Sequence, residues 1–166
     1  MNEVVKFLDP GGMVQLGIKN NNFIIKKDQE TIIIRLLEGD FPEYADIIKK
    51  GASHVLHIDR NMFLMMLKRM SILSSENYKG VIFNFIDNKL FIRTTNPDIG
   101  KSKEDMDIDF KGDSIEVAFN PKYIIDTLSV INSEKVIVHI IDEEKPCLIE
   151  GENDDTYISV NMPMRI

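Results

Sequence analysis

The segment His54–Leu73 reads HVLHIDRNMFLMMLKRMSIL, and the segment Ile115–Ile131 reads IEVAFNPKYIIDTLSVI. Each begins with a short strand of alternating apolar residues, followed by a helix N-cap, Asp59 or Asn120, and apolar residues at helical spacing. Three more strands are predicted after each helix: Val81–Ile86, Lys89–Thr94 and Asp105–Phe110 in the first copy, and Lys135–Ile141, Cys147–Glu150 and Tyr157–Val160 in the second. This internal repeat predicts one pseudo-symmetric α+β domain whose sheets are backed by two helices.

A shorter version of the same pattern precedes the repeat. Asn2–Leu8 predicts the end of a helix, which Asp9-Pro10-Gly11-Gly12 stops. Three strands are then predicted: Met13–Ile18, Phe23–Lys26 and Thr31–Leu37. This order matches the last part of a third copy, so we expect the chain to be the C-terminal piece of a longer repeat protein. The alternative is a complete N-terminal subdomain, which would leave an apolar sheet face uncovered.

The composition is typical of a globular protein. Hydrophobic residues make up 43% and charged residues 28% of the 166 positions. No apolar run approaches the roughly 20 residues that a membrane span needs, and the N-terminus does not resemble a secretory signal. The single cysteine, Cys147, is expected to be a buried, inert thiol in a reducing cytoplasm. The net charge of −7, taken alone, argues against tight nucleic-acid binding.

The first helix carries more apolar residues than one buried face needs. One stripe is expected to face the sheet: Phe63, Met66, Leu67, Met70 and Ser74. A second face holds Met62, Met65, Arg69 and Ile72. Two interpretations fit this second face: the domain itself covers it, or it meets another subunit, since interfaces favour Met and Arg.

The second helix and the C-terminal tail suggest a binding surface. Asn120 is a good N-cap and Pro121 suits the first turn, whereas Tyr123 falls off the apolar core stripe. The chain closes with an apolar segment, residues 160–166, although frayed termini are usually polar. Its side chains should therefore be docked, either as a completion of the core or as the floor of a groove for short peptides.

Residues that could carry catalysis or bind a metal are scarce, and we predict neither a catalytic nor a metal-binding residue. Phosphate loops, dinucleotide fingerprints, cysteine pairs and nucleophile motifs do not occur. The acidic run 104–110 alternates carboxylates with apolar side chains, which is typical of a strand with one wet face. A metal-dependent enzyme using residues 104–109 is the alternative, but a metal site needs converging ligands. His54 and His57 should face opposite sides of their strand, and His139 is isolated.

Four stretches occur in the order and spacing of one known family, and the likeness runs over the whole chain: Leu37–Tyr44, Ser71–Glu76, Phe119–Tyr123 and Met162–Ile166. They resemble the bacterial DNA polymerase III beta subunit, the sliding clamp. The resemblance implies the DNA clamp fold, with two βαβββ repeats forming one domain. It makes residues 1–45 the C-terminal remnant of the middle domain plus a connector, and residues 46–166 the complete third domain, with the first domain absent.

The resemblance implies a non-catalytic processivity factor of DNA replication that uses no cofactor. The family's ring encloses duplex DNA, and the polymerase catalytic subunit, the clamp loader and other clamp-binding proteins attach to it through a short peptide. Carried over by motif, the third-domain wall of the peptide groove would comprise Pro42, Ile47, Tyr78, Asn120, Tyr123, Val160, Met162, Pro163, Met164 and Arg165. Asp46 departs from the family pattern, in which many members carry a basic residue.

The resemblance also implies contacts with other subunits and with DNA. Arg69, Ile72 and Leu73 would close the ring against the first domain of another subunit, and Arg60, Lys68 and Lys122 would face DNA. Full-length members are ring homodimers. A chain without a first domain should be a monomer or a weak dimer, and should hold duplex DNA only as part of a full ring. A further hypothesis is a short regulatory form that competes for clamp partners.

Overall fold

A computed structural model of the chain describes residues 2–8, 11–41, 43–48, 51, 54–74 and 80–165. The chain divides into two units, residues 1–42 and residues 43–166. Among the described residues, no helix has the length and apolar character required to cross a membrane.

The first unit consists of one short helix and a three-stranded sheet. Its elements are α1 (Asn2–Phe7), β1 (Gln15–Lys19), β2 (Asn22–Lys27) and β3 (Glu30–Arg35). The strands pair antiparallel in the order β1-β2-β3, close to the three strands that were predicted. Asn20 and Asn21 close the first hairpin with φ values of 47° and 59°, a left-handed conformation that asparagine tolerates.

The second unit contains both copies of the repeat. The first copy comprises β4 (His54–Asp59), α2 (Arg60–Ser71), β5 (Val81–Ile86), β6 (Lys89–Asn96) and β7 (Gly100–Asp107). The second copy comprises β8 (Ile115–Phe119), α3 (Pro121–Val130), β9 (Lys135–Ile140), β10 (Cys147–Gly151) and β11 (Asp154–Asn161). Asp59 and Asn120 cap the two helices, since their side chains accept from the amides of Met62 and Lys122. The predicted element order and the α+β class are confirmed.

The two repeats exchange their first strands. One four-stranded sheet has the order β11-β10-β9-β4, and the other has the order β7-β6-β5-β8. β4 pairs antiparallel with β9 along its whole length, and β8 pairs with β5 in the same way. Each repeat therefore completes its four-stranded sheet only with a strand from the other repeat.

The segments that follow β7 and β11 lie beside the exchanged strands. After β7, the ring of Phe110 lies against His54 of β4, with ring centroids 4.8 Å apart. Gly112 has a φ of +145°, and a Cβ atom there would lie 2.7 Å from Cε1 of His54, so both the backbone and the close approach favour glycine. After β11, Met164 forms an antiparallel bridge with Ala118 of β8.

One hydrophobic core joins the two repeats. Helices α2 and α3 contact each other, and both also contact strands. Phe83 of β5 meets Phe63 of α2 and Phe119 of β8 edge-on, at centroid distances of 6.3 Å and 5.4 Å, a geometry that aromatic rings prefer. Leu67 and Leu128, one on each helix, are fully buried. The core stripe predicted for the first helix is confirmed, except that Ser74 lies beyond the end of the helix.

Two strands of the second unit begin several residues earlier than predicted. The strand expected at Asp105–Phe110 spans Gly100–Asp107, because it pairs with β6 along its entire length. Its first half contains Lys101–Lys103, which lacks the apolar alternation that reveals a strand. The strand expected from Tyr157 begins at Asp154, which leaves a two-residue turn before it.

Cys147 confirms the prediction of a buried thiol. Its side chain lies in β10 and is 2% exposed. Burial raises the pKa of the thiol to about 12, because a thiolate would be poorly solvated there. The thiol therefore stays protonated and unreactive near neutral pH.

Candidate functional site

The C-terminal tail is fixed to the edge of a sheet. After β11 ends at Asn161, the Met164 amide donates a hydrogen bond to the Ala118 carbonyl oxygen at 2.8 Å. Pro163 and Met164 are half-buried, whereas the side chain of Met162 is 61% exposed. The expected docking is therefore confirmed for Pro163 and Met164, and an exposed methionine lies beside them.

A hollow of about 690 Å³, here called the tail hollow, lies beside this tail. Its lining residues are Glu116, Val117, Ala118, Glu143, Glu144, Met162, Pro163, Met164 and Arg165. The tail supplies an apolar part of the lining, and glutamates from β8 and from the β9–β10 loop supply negative charge.

A smaller hollow of about 250 Å³, here called the sheet hollow, involves β9 and β10. Its lining residues are Asp46, Ile47, Gly51, His139, Ile141, Lys145, Pro146 and Leu148. Asp46, Ile47 and Gly51, which precede β4 within the second unit, therefore contribute to this hollow. Most of the lining side chains are apolar, so this hollow is suited to an apolar side chain of a ligand.

The β9–β10 loop, residues 141–146, lines both hollows and is called the ridge. Asp142 holds the ridge in shape, because its carboxylate accepts hydrogen bonds from the amides of Glu144 and Lys145 at 3.0 Å and 2.8 Å. These backbone bonds hold the pKa of the Asp142 carboxyl below its usual range. The ridge is therefore an ordered feature rather than a loose loop.

A buried polar pair beside the sheet hollow was missed by the sequence analysis. Nε2 of His139 lies 2.8 Å from Oε1 of Glu150, and each side chain is 8% exposed. The prediction that His139 is isolated is wrong, because β9 and β10 pair and place Glu150 diagonally across from it. The available signal was the glutamate in the otherwise apolar stretch Cys147–Glu150.

Asn120 and Tyr123 stand at the start of α3. The Asn120 side chain accepts from the Lys122 amide at 3.0 Å, which commits it to the helix cap. The ring of Tyr123 is 63% exposed, as expected for a residue off the core stripe. Thr127, one turn further on, bonds to the Tyr123 carbonyl and contacts the Ser159 hydroxyl of β11 at 2.7 Å, which fixes the helix against that strand.

The predicted peptide-binding residues fall into four groups. The tail hollow gathers Met162, Pro163, Met164 and Arg165, and the sheet hollow includes Ile47. Asn120, Tyr123 and Val160 do not line either hollow, although Tyr123 and Val160 are exposed. Pro42 and Tyr78 lie outside the described residues.

Comparison with known proteins decides the family. Residues 45–165 match the family model described as DNA polymerase III beta subunit, C-terminal domain. The chain belongs to the DNA polymerase III beta subunit family. It is 32% identical over 165 residues to the beta sliding clamp of Vibrio cholerae, covering 99% of this chain and 45% of that protein. It is 30% identical over 158 residues to the beta sliding clamp of Pseudomonas putida, covering 95% and 43%.

Solved structures of the beta subunit family share this fold. The DNA polymerase III beta subunit of Pseudomonas aeruginosa aligns with a TM-score of 0.75 at 27% identity, covering 92% of this chain and 42% of that one. A sliding clamp from the same organism bound to griselimycin aligns with a TM-score of 0.73, also at 27% identity, with the same coverage. The chain thus spans less than half the length of these relatives, and the clamp fold inferred from the sequence is confirmed.

The second face of α2, which the resemblance to the beta subunit family assigned to subunit contacts, is exposed. Met62, Met65 and Ile72 are 56%, 53% and 73% exposed, so the interpretation that the domain covers this face is wrong. Leu73 is half-buried. Arg69 forms a two-pronged ion pair with Glu104 of β7, which fixes the guanidinium within the domain.

The three residues assigned to DNA differ in their surroundings. Arg60 is half-buried, and its guanidinium donates to the Leu128 carbonyl oxygen at 2.9 Å, so it caps the C-terminal end of α3. Lys68 and Lys122 are exposed on α2 and α3. The DNA-facing role of all three remains a prediction, and the two lysines are better placed for it than Arg60.

The acidic run has the expected wet and dry sides. Met106, Ile108 and Phe110 are buried, whereas the carboxylate before each of them is exposed and binds a lysine. Asp105 and Asp107 bind Lys89, and Asp109 binds Lys111. Among the described residues, no three His, Cys, Asp or Glu side chains converge as metal ligands would. The two histidines of β4 also lie apart, since His54 contacts Phe110 and His57 contacts Glu152.

The ion pair between Arg69 of α2 and Glu104 of β7 should change how the Glu104 carboxyl titrates. Hydrogen bonding to Arg69 holds the pKa of the Glu104 carboxyl below its usual value. The ion pair therefore stabilises the folded state fully above about pH 4.3, the ordinary pKa of a glutamate side chain. This stabilisation is lost as pH falls through the lowered pKa of Glu104. We expect Arg69→Met to raise the pKa of Glu104, measured by carbon-13 NMR titration.

Lys68→Met is the matched control, since it removes one positive charge from the same helix. Lys68 has no ion-pair partner among the residues that the structure describes, so this variant should leave the Glu104 titration in place. A Glu104 pKa that does not change in Arg69→Met would contradict the ion pair.

Proposed function

We propose that this chain is the C-terminal part of a sliding-clamp subunit, a processivity factor of DNA replication. In the whole protein, a ring would enclose duplex DNA while polymerases and other partners attach to its surface. The chain itself would be a non-catalytic scaffold that needs no cofactor and acts in the cytoplasm. The observation that carries this proposal is the family match over residues 45–165.

The two hollows support peptide binding as the activity of this part of the clamp. The tail hollow and the sheet hollow share the ridge, so an extended peptide could place one part in each. The exposed Met162 offers a flexible, polarisable contact. The partners we propose are the polymerase catalytic subunit, the clamp loader and other clamp-binding proteins, each contributing a short peptide with an apolar anchor.

The negative charge of the chain is more consistent with a ring that encloses DNA than with a protein that binds DNA tightly. A net charge of −7 gives no general attraction for phosphates. Lys68 and Lys122 nevertheless place positive charge on the two helices, which we propose face the DNA in a full ring. A single chain should therefore bind duplex DNA poorly.

The exposed face of α2 is proposed as the contact with another subunit. It combines Met62, Met65 and Ile72 with the half-buried Leu73, an apolar surface of the kind that partners cover. In sedimentation velocity, we expect this chain to behave as a monomer or a weak dimer. Ile72→Asp should weaken a dimer that buries this face, whereas Val130→Asp, an exposed apolar site on α3, should not. A stable closed ring formed by this chain would contradict the expectation.

Peptide binding can be tested by fluorescence anisotropy with a short labelled peptide that contains Gln-Leu followed by hydrophobic residues. We expect Tyr123→Ala to weaken binding at least about fivefold, equivalent to about 1 kcal/mol, because exposed tyrosines at binding sites often contribute that much. Val130→Ala removes an exposed apolar side chain two turns further along the same helix and should leave the affinity intact. Unchanged affinity in Tyr123→Ala would show that Tyr123 is not part of the site.

A further inference from the structure

The ridge presents different charges to its two sides. Lys145 lines the sheet hollow, and its ammonium nitrogen lies 3.2 Å from the Asp142 carboxylate. Glu143 and Glu144 line the tail hollow on the other side. Because Asp142 binds two backbone amides of the ridge, this separation of charge is built into an ordered loop.

The two ridge glutamates are not neutralised by the described part of the chain. Glu143 and Glu144 are exposed, and neither forms an ion pair with another described residue. The third carboxylate of the tail hollow differs, because Glu116 accepts hydrogen bonds from Arg93 at 2.7 Å and from Asn84 at 3.2 Å. Among the described residues that line this hollow, Arg165 is the one cation. The tail hollow therefore carries an excess of negative charge next to an apolar surface.

We propose that the tail hollow selects peptides that carry a lysine or arginine beside the apolar anchor. This inference rests on the proposed function, since it names the class of peptide that the same site prefers. The apolar part of the peptide would contact Met162, Pro163 and Met164, and the basic side chain would lie near Glu143 and Glu144. The charge of the site is complementary to such a peptide and opposed to one with acidic flanks.

The effect should be moderate and sensitive to salt. The glutamates are exposed, so each ion pair with the peptide is screened by solvent. We expect a basic-flanked peptide to bind about three- to tenfold more tightly than its acidic-flanked counterpart at low salt. This ratio of affinities should shrink as salt is raised, because salt shortens the Debye length and so screens the attraction between exposed charges.

The experiment uses two labelled peptides with the same core of Gln-Leu followed by hydrophobic residues. One peptide carries two lysines at each end of the core, and the other carries two glutamates at each end. Their affinities for the chain are measured by fluorescence anisotropy at low and at high salt. The double variant Glu143→Gln/Glu144→Gln removes the two ridge charges. Its matched control is Asp98→Asn/Asp113→Asn, which removes two exposed carboxylates from outside the hollow.

The inference predicts that the parent chain and the control pair prefer the lysine-flanked peptide, and that the ridge variant loses most of this preference. Equal affinities in the parent chain would overturn the inference and leave the proposed function in place, because both peptides would still bind. A preference that survives in the ridge variant would also overturn it. Failure of the parent chain to bind either peptide would contradict the proposed function itself, and this inference with it.

Discussion

The exchange of first strands between the two repeats is the constraint on which the rest of the second unit depends. β4 lies on the edge of the sheet built by the second repeat, and β8 lies on the edge of the sheet built by the first. A repeat folded alone would leave β5 or β9, which are inner strands here, as an exposed sheet edge that is open to pairing with another chain. The shared core around Phe83 and both helices adds to this mutual dependence.

The candidate site is a consequence of that exchange. β11 is the edge strand of one sheet, and β8 is the edge strand of the other. The tail leaves β11 and bonds to β8 through Met164 and Ala118, so it joins the two sheets. The tail hollow forms at this junction, with the ridge as a further wall. The segment around Phe110 and Gly112 occupies the corresponding place at β4, where the repeat symmetry would put it.

Local patterns in the sequence predict the elements well and their pairing poorly. The helix starts follow from Asp59 and Asn120, whose side chains cap in the structure, and the buried stripes follow from apolar spacing. No local pattern indicates that β4 pairs with β9, because pairing partners are set by the whole core. The His139–Glu150 pair and the Arg69–Glu104 pair were missed for the same reason. Each joins residues that come together only after strand register and helix packing are fixed.

Some residues of the candidate site can be recognised from the local sequence, and others are brought together only by the fold. The tail and Tyr123 stand out in the sequence because apolar or aromatic side chains occur where a solvated surface would be polar. The sheet hollow could not be predicted from the residues alone, since its lining comes from the segment before β4, β9, the ridge and β10. The resemblance to the beta subunit family supplied Ile47, and the structure adds His139, Ile141 and Leu148 around it.

Native-state hydrogen exchange in increasing urea tests the strand exchange most directly. If each repeat completes the other's sheet, the amides of β4 and β9 and those of β5 and β8 should exchange through one unfolding event. They should then share the same free energy of opening and the same dependence on urea. If the two sheets opened in separate events, with one set of amides exchanging while the other stayed protected, the repeats would be independent and the account would be contradicted.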